Sequence, residues 1–238
     1  MNYQFTNIDG SLWFISNDEK VVYNKNKKWY YFDAADGLPL APQSLYLTKN
    51  GRIWCGGSHN QVAATAYLNS DNKWIKQIHD SISWSINENA VTEGVDGGVW
   101  FGGAPNPKGG AGQLGGIVKI KVDSNTTRTT PFYISHPVFN SLVLNGDSGL
   151  YAATAFGLHS FSEKILHTYY RNGVKTIVQL DPKLKVNSER IIYKRLKWTK
   201  SGTLWAATSD GGVRKYFGDK EQKTFTKVDG LGTNVVYD

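Results

Sequence analysis

One short phrase recurs five times in this chain, and that recurrence limits its possible folds more than any other feature. The copies read DGSLWFIS at 9–16, NGRIWCGGS at 50–58, DGGVWFGGA at 96–104, DSGLYAATA at 147–155 and KSGTLWAATS at 200–209. With the aromatic of each copy as a marker (Trp13, Trp54, Trp100, Tyr151 and Trp205), the intervals are 41, 46, 51 and 54 residues. That is the spacing of propeller blades of four strands; helical repeats are usually shorter and show a 3.6-residue period, and none is evident here. Aromatics make up 13% of the chain, a composition suited to pleated, half-buried surfaces.

Each copy has a physical reading. A Gly preceded by Asp, Asn or Ser opens it, as a tight hairpin with positive φ requires. A short apolar strand comes next, without polar alternation, which predicts that both of its faces are buried. The large ring is expected to wedge against an adjacent sheet, and the small residues after it allow close backbone approach. A third strand is read at KVVYNKN, QVAATAYL, GGIVKIKV, GLHSFS and GGVRKYF. A fourth is read at KWYYFD, KWIKQIH, RTTPFYI, ILHTYY and KTFTKVD.

The expected architecture is therefore all-β: a β-propeller of four-stranded antiparallel blades over 1–238. Five blades are read at 1–38, 39–88, 89–136, 137–188 and 189–232, with the start of a further inner strand at 233–238. DGLGTNVVYD at 229–238 parallels DGLPLAPQSLYL at 36–47, where one blade hands over to the next. The preferred expectation is an arc truncated from a propeller of six to eight blades. The alternative is closure with five, the last strand pairing near YQFTNI.

Charge and cysteine content narrow the partners. The formal net charge is +7, and residues 120–238 carry all of the excess. The stretch KLKVNSERIIYKRLKWTK at 183–200 is especially basic. It reads first as a solvated strand edge that discourages aggregation, and second as a patch for an anionic ligand such as a polyuronate or sulfated glycan. Nucleic acid is not the expected partner. The single Cys55 excludes an internal disulfide framework and leaves the redox compartment open. No apolar run approaches the roughly 20 residues of a membrane span, so no membrane contact is expected; MNYQFTNIDG lacks the form of a signal peptide, which leaves two expectations, a cytoplasmic protein or a piece of a longer exported chain.

No catalytic set emerges. His59, His79, His136, His159 and His167 lack metal-ligand spacing, and no Gly-x-Ser-x-Gly elbow occurs. The Gly-rich run at 105–116 lacks the Gly-Lys-Ser/Thr ending of a phosphate loop and reads as a long loop. No cofactor or metal is expected. A ligand is expected at the channel mouth, where the turns between second and third strands offer His59, Asn60, Asn106, Lys108, Gln113, Phe156 and Asp210. An aromatic among amides and a carboxylate suits a sugar; the competing reading is that these residues only shape hairpins.

The copies DGSLWFIS, NGRIWCGGS, DGGVWFGGA and SGTLWAATSDGGV, with the turns DGLPLAPQSL and DGLGTNVV, resemble the two-component regulator propeller family. Tyr151 replaces Trp in the fourth copy, and Phe14, Ile15 and Ser16 depart from the family's pattern in the first. The resemblance implies a periplasmic or extracytoplasmic sensor module of a membrane-bound histidine kinase. It would bind a small molecule or oligosaccharide and act on attached signalling domains that these 238 residues do not include. The repeat is also similar to that of streptogramin lyases, which hold magnesium near the axis. The matching stretch here is WFGG at 100–103, and no metal site transfers residue by residue. A protein-interaction scaffold is the third reading, and its mark would be a broad exposed apolar patch.

Overall fold

The computed structural model describes residues 3–7, 9–80, 84–104, 116–123, 127–135, 138–146, 149–155, 157–162, 178–179 and 191–237. Strands dominate them, with two short 3-10 turns at Ala34–Asp36 and Lys227–Asp229 and no α-helix among the described residues.

The strands form blades in chain order. Blade 1 is β1 (Tyr3–Thr6), β2 (Leu12–Ile15), β3 (Val21–Lys25) and β4 (Lys28–Phe32). Blade 2 is β5 (Ala41–Leu47), β6 (Ile53–His59), β7 (Val62–Leu68) and β8 (Trp74–Ile78). Blade 3 is β9 (Ser85–Glu93), β10 (Val99–Ala104), β11 (Gly116–Val122) and β12 (Thr127–Ser135). Blade 4 contributes β13 (Phe139–Asn145), β14 (Gly149–Thr154) and β15 (Gly157–Ser162); its expected fourth strand, ILHTYY, lies outside the described residues. A two-residue strand, β16 (Val178–Gln179), runs parallel to β12. Blade 5 is β17 (Tyr193–Trp198), β18 (Leu204–Thr208), β19 (Val213–Phe217) and β20 (Lys220–Phe225). Apart from β16, every strand of a blade pairs antiparallel with the next. The inner strands β9 and β13 touch in parallel at Asn89 and Ser141, which joins blades 3 and 4 into one eight-stranded sheet. Several strand ends differ from the reading by a residue or two, and residues 233–237, read as the start of a further inner strand, are not in a strand. The last strand stops at Phe225, and Lys227–Asp229 is a 3-10 turn in which Asp229 reaches back to the Thr226 N–H.

The turn chemistry matches the repeat. Gly10, Gly51, Gly97 and Gly202 have φ of 78°, 82°, 76° and 77°. Each donates its N–H to the carbonyl three residues back, at Asn7, Thr48, Gly94 and Thr199. In three of the turns the preceding Asp9, Asn50 or Asp96 accepts from the N–H two residues on, the short-range bond that favours these residue types in turns.

Packing runs from blade to blade. The rings of Trp13, Trp54, Trp100 and Tyr151 are 4%, 2%, 3% and 2% exposed, each set in the cluster its blade shares with the next. The opposite face of each second strand supplies the other half: Ile53 and Cys55, Val99 and Phe101, Leu150 and Ala152, Leu204 and Ala206. A large buried apolar side chain of this kind contributes about 1.5–3 kcal/mol. Strands β6 and β14 are accordingly buried on both faces, as predicted. Strand β2 alternates, because Leu12 and Phe14 face away from blade 2 and stay half-exposed. Beside them on β4, Trp29 and Tyr31 are 60% and 64% exposed. Among the described residues no apolar cluster joins blade 5 to blade 1.

Candidate functional site

Antiparallel pairing puts the turns of a blade at two ends. The turn between second and third strands lies at one end; the first–second and third–fourth turns lie at the other.

At the first end stand three of the residues expected to meet a ligand, His59, Asn60 and Asp210. His59 and Asn60 lie at the β6–β7 turn, with Asn60 and Gln61 at φ of 53° and 63°. The His59 Nδ1 is 3.3 Å from Lys76 Nζ, which also donates to the Leu38 carbonyl. Burial first, and the Lys76 ammonium second, lower the His59 pKa below the usual imidazole value. Asp210 occupies the corresponding turn of blade 5, exposed, accepting from the Ser209 hydroxyl at 3.4 Å. No hydrogen bond among the described residues joins it to His59 or Asn60. Asn106, Lys108, Gln113 and Phe156 lie outside the described residues, as does the 183–190 part of the basic stretch.

The other end holds a feature that no motif announces: a groove of about 410 Å³ at the seam of blades 1 and 2. Blade 1 supplies Asp9, Ser11, Trp13, Tyr23, Lys25 and Phe32; the turns of blade 2 supply Asn50, Asn69 and Asn72. Trp13 and Tyr23 stack with centroids 4.3 Å apart and planes 9° off parallel, and Tyr30 continues the stack at 4.8 Å. The pairing Trp13↔Tyr23↔Tyr30 across three strands puts these rings in line.

A hydrogen-bond chain fixes the polar side. Trp13 Nε1 donates to Ser11 Oγ at 2.7 Å, Ser11 Oγ donates to Asp9 Oδ1 at 2.7 Å, and Lys25 Nζ pairs with Asp9 Oδ2 at 2.9 Å. The Ser11 hydroxyl first, and then Lys25, hold the Asp9 carboxyl far below the usual carboxylate range; Asp9 in turn raises Lys25. Neither group changes charge near neutral pH, so the pair offers fixed charge rather than a proton in transit. Across the seam, the Asn50 carbonyl oxygen accepts from Thr48 Oγ1 and that of Asn69 from the Lys73 N–H, leaving an amide NH₂ donor on each. Fixed donors and acceptors beside aromatic edges suit a hydroxyl-rich ligand.

Other titratable groups are committed elsewhere. His79 is buried against Thr65 Oγ1 at 2.9 Å, and burial pushes its pKa down to about 4. Cys55 is buried, which drives its thiol far above the reactive range. Among the described residues no three His, Cys, Asp or Glu side chains come together as a metal site, and no helix is long and apolar enough to cross a membrane.

No family model matches the sequence, and no curated protein does. Solved structures do match in shape. PorZ, a surface component of the type-IX secretion system of Porphyromonas gingivalis, has a TM-score of 0.70 at 10% identity, over 99% of this chain and 35% of its own. The extracellular domain of a protein assigned to a hybrid two-component system of B. thetaiotaomicron has a TM-score of 0.57 at 18% identity, over 86% of this chain and 25% of its own. A gluconolactonase of Xanthomonas campestris has a TM-score of 0.52 at 13% identity, over 92% of this chain and 73% of its own. The chain thus spans about a third of the first and a quarter of the second. At these identities the likeness establishes architecture, and the architecture is that of a β-propeller assembled from four-stranded antiparallel blades.

Proposed function

We propose that this chain is a non-catalytic recognition module of an extracytoplasmic sensor, binding a small molecule or oligosaccharide and passing the signal to attached domains. The observation that carries the reading is the seam groove. It sets aromatic side chains beside asparagine amides and a locked Asp9–Lys25 pair that holds its charge near neutral pH. The likeness in fold to an extracellular domain of a two-component system supports the same reading as an analogy. Binding would work by favouring one arrangement of the attached domains over another. The turn residues His59, Asn60 and Asp210 are proposed as a second contact surface at the opposite end of the blades. The basic strand β17, with Arg195 and Lys197, would favour anionic ligands in a salt-dependent way.

The test is a panel of neutral and anionic oligosaccharides screened by calorimetry against the wild type and against Asp9→Ala and Tyr23→Ala. We expect roughly a tenfold or greater loss of affinity in both variants with an unchanged circular dichroism spectrum. Turnover of a lactone or glycan by the purified protein, abolished by a chelator, would replace this reading with the enzymatic one suggested by the gluconolactonase fold.

A further inference from the structure

The seam groove is built from the same two positions of the repeat, used in two successive blades. In blade 1, Asp9 stands four residues before Trp13, and Lys25 stands two residues beyond Tyr23, the cross-strand neighbour of Trp13. In blade 2 these positions hold Asn50, four residues before Trp54, and Asn69, two beyond its neighbour Tyr67. All four line the groove, so one wall offers an ion pair and the other two carboxamides. Blade 3 has Asp96 and Lys121 at these positions and Lys119 where blades 1 and 2 have tyrosine. Lys119 Nζ pairs with Asp96 Oδ2 at 3.0 Å and lies 5.0 Å from the centre of the Trp100 ring, with its side chain 11% exposed. In the third copy a lysine thus lies over the ring; in the first a tyrosine stacks there, and Lys25 keeps half of its side chain exposed.

The aromatic faces beside the groove are already occupied. Trp13, Tyr23 and Phe32 lie within 13° of parallel, and Tyr23 is held between Trp13 and Tyr30. A ligand therefore has no ring face to stack on, and its affinity must come from polar contacts. The groove's charge is balanced as well. Asp9 and Lys25 offset each other, and Arg52 sends its guanidinium to the Val122 carbonyl and the Tyr67 ring, toward blade 3. The pair retains bonding capacity. Asp9 Oδ1 accepts from the N–H and the hydroxyl of Ser11, while among the described residues Oδ2 accepts from Lys25 only. A carboxylate oxygen can accept a second bond, and an ammonium has three donors.

We propose that the groove selects a neutral sugar by clamping a vicinal diol between Asp9 and Lys25; this rests on the reading of the groove as the ligand site. Two adjacent hydroxyl oxygens in the gauche arrangement lie about a hydrogen-bond length apart, as do Asp9 Oδ2 and Lys25 Nζ at 2.9 Å. One hydroxyl donates to Oδ2 while its neighbour accepts from Nζ, and both bonds are charge-assisted. On the other wall, the Asn50 and Asn69 amides donate to hydroxyls of the next sugar unit. An acidic sugar is rejected. Its carboxylate meets Asp9, and among the described lining residues no cation besides Lys25 is turned into the groove.

The experiment titrates the chain by calorimetry with neutral disaccharides of glucose, mannose and galactose, and with digalacturonate as the charged counterpart of galactobiose. We expect a neutral disaccharide to bind about tenfold or more tighter than digalacturonate, and to lose less than about twofold in affinity between about 50 and 500 mM salt. Asp9→Asn and Lys25→Met should each weaken it about tenfold or more, while Asp96→Asn, the same repeat position in blade 3, should leave it unchanged. Monodeoxy versions of the bound sugar locate the diol on the unmodified protein, whether or not a variant folds. Loss of either of two adjacent hydroxyls should cost about as much as the variants do, and should cost nothing further in the variants. Preference for digalacturonate, a steep fall with salt, or unchanged affinity in Asp9→Asn and Lys25→Met would overturn the diol clamp and leave the sensor reading standing. Failure of every sugar to bind, neutral and acidic, would overturn both.

Discussion

The two seams flanking blade 2 are built from the same repeat and end in opposite states. Toward blade 3 the seam is laced shut. Arg52 Nη1 donates to the Val122 carbonyl at 3.3 Å, the Glu93 carboxylate accepts from the Lys49 N–H, and the Glu93 N–H donates to the Tyr46 hydroxyl at 3.0 Å. Trp54 sits between Tyr67 and Phe101, with centroids at 5.2 and 5.5 Å. Toward blade 1 the corresponding ring, Trp13, stacks sideways on its own sheet, and the end of the seam opens into the groove. The contrast teaches that the repeat supplies a seam, while the side chains around the ring decide whether it closes along its whole length or opens at one end into a groove.

The largest effect expected from that contrast is at the rings. Trp54→Ala should cost about 3–5 kcal/mol in denaturant unfolding, the range for emptying a packed aromatic site. Trp13→Ala should cost about 1–2 kcal/mol less, because part of its surroundings is already open. Equal costs would erase the difference between the seams.

Acid should find the tight side next. His79 belongs to blade 2 and bonds Thr65, and its pKa lies near 4 in the folded protein against about 6.5 when unfolded. The unfolded chain therefore binds the proton more readily. This contribution to stability is complete above pH 6.5 and is lost as pH falls toward 4, by roughly 2–3 kcal/mol. His79→Gln should flatten that part of the pH–stability curve; an unchanged slope would refute the assignment.

Smaller still is the lacing. Glu93→Ala removes an acceptor that is 7% exposed and leaves the Lys49 N–H without it, for a loss of about 1–3 kcal/mol. At the open seam, Asp9→Asn should cost under about 1 kcal/mol, since its ion pair with Lys25 is solvent-exposed. The same change should weaken ligand binding. Loss of folding with Asp9→Asn would make the pair structural instead.

The groove is less legible in the sequence than the fold. Tyr23 and Phe32 stand out as strand aromatics, but nothing in their own segments marks them as one wall with Trp13. Asp9 and Asn50 read as turn formers, and they are; lining a groove is a second use that arises only when blade 2 is set beside blade 1, and the structure adds Asn69 to it. His59, expected at a ligand, is first a partner of Lys76.

The amino-acid order alone determined the repeating unit, its turns and the positions of its rings. Those features rest on hydrogen bonds spanning two to four residues and on apolar runs within a single strand, so they are written locally. Only the tertiary structure decided which ring is sealed, which seam stays open and which face is left bare. Each of these depends on side chains roughly 40–50 residues apart in sequence, and a chain meets such neighbours only after its sheets have stacked.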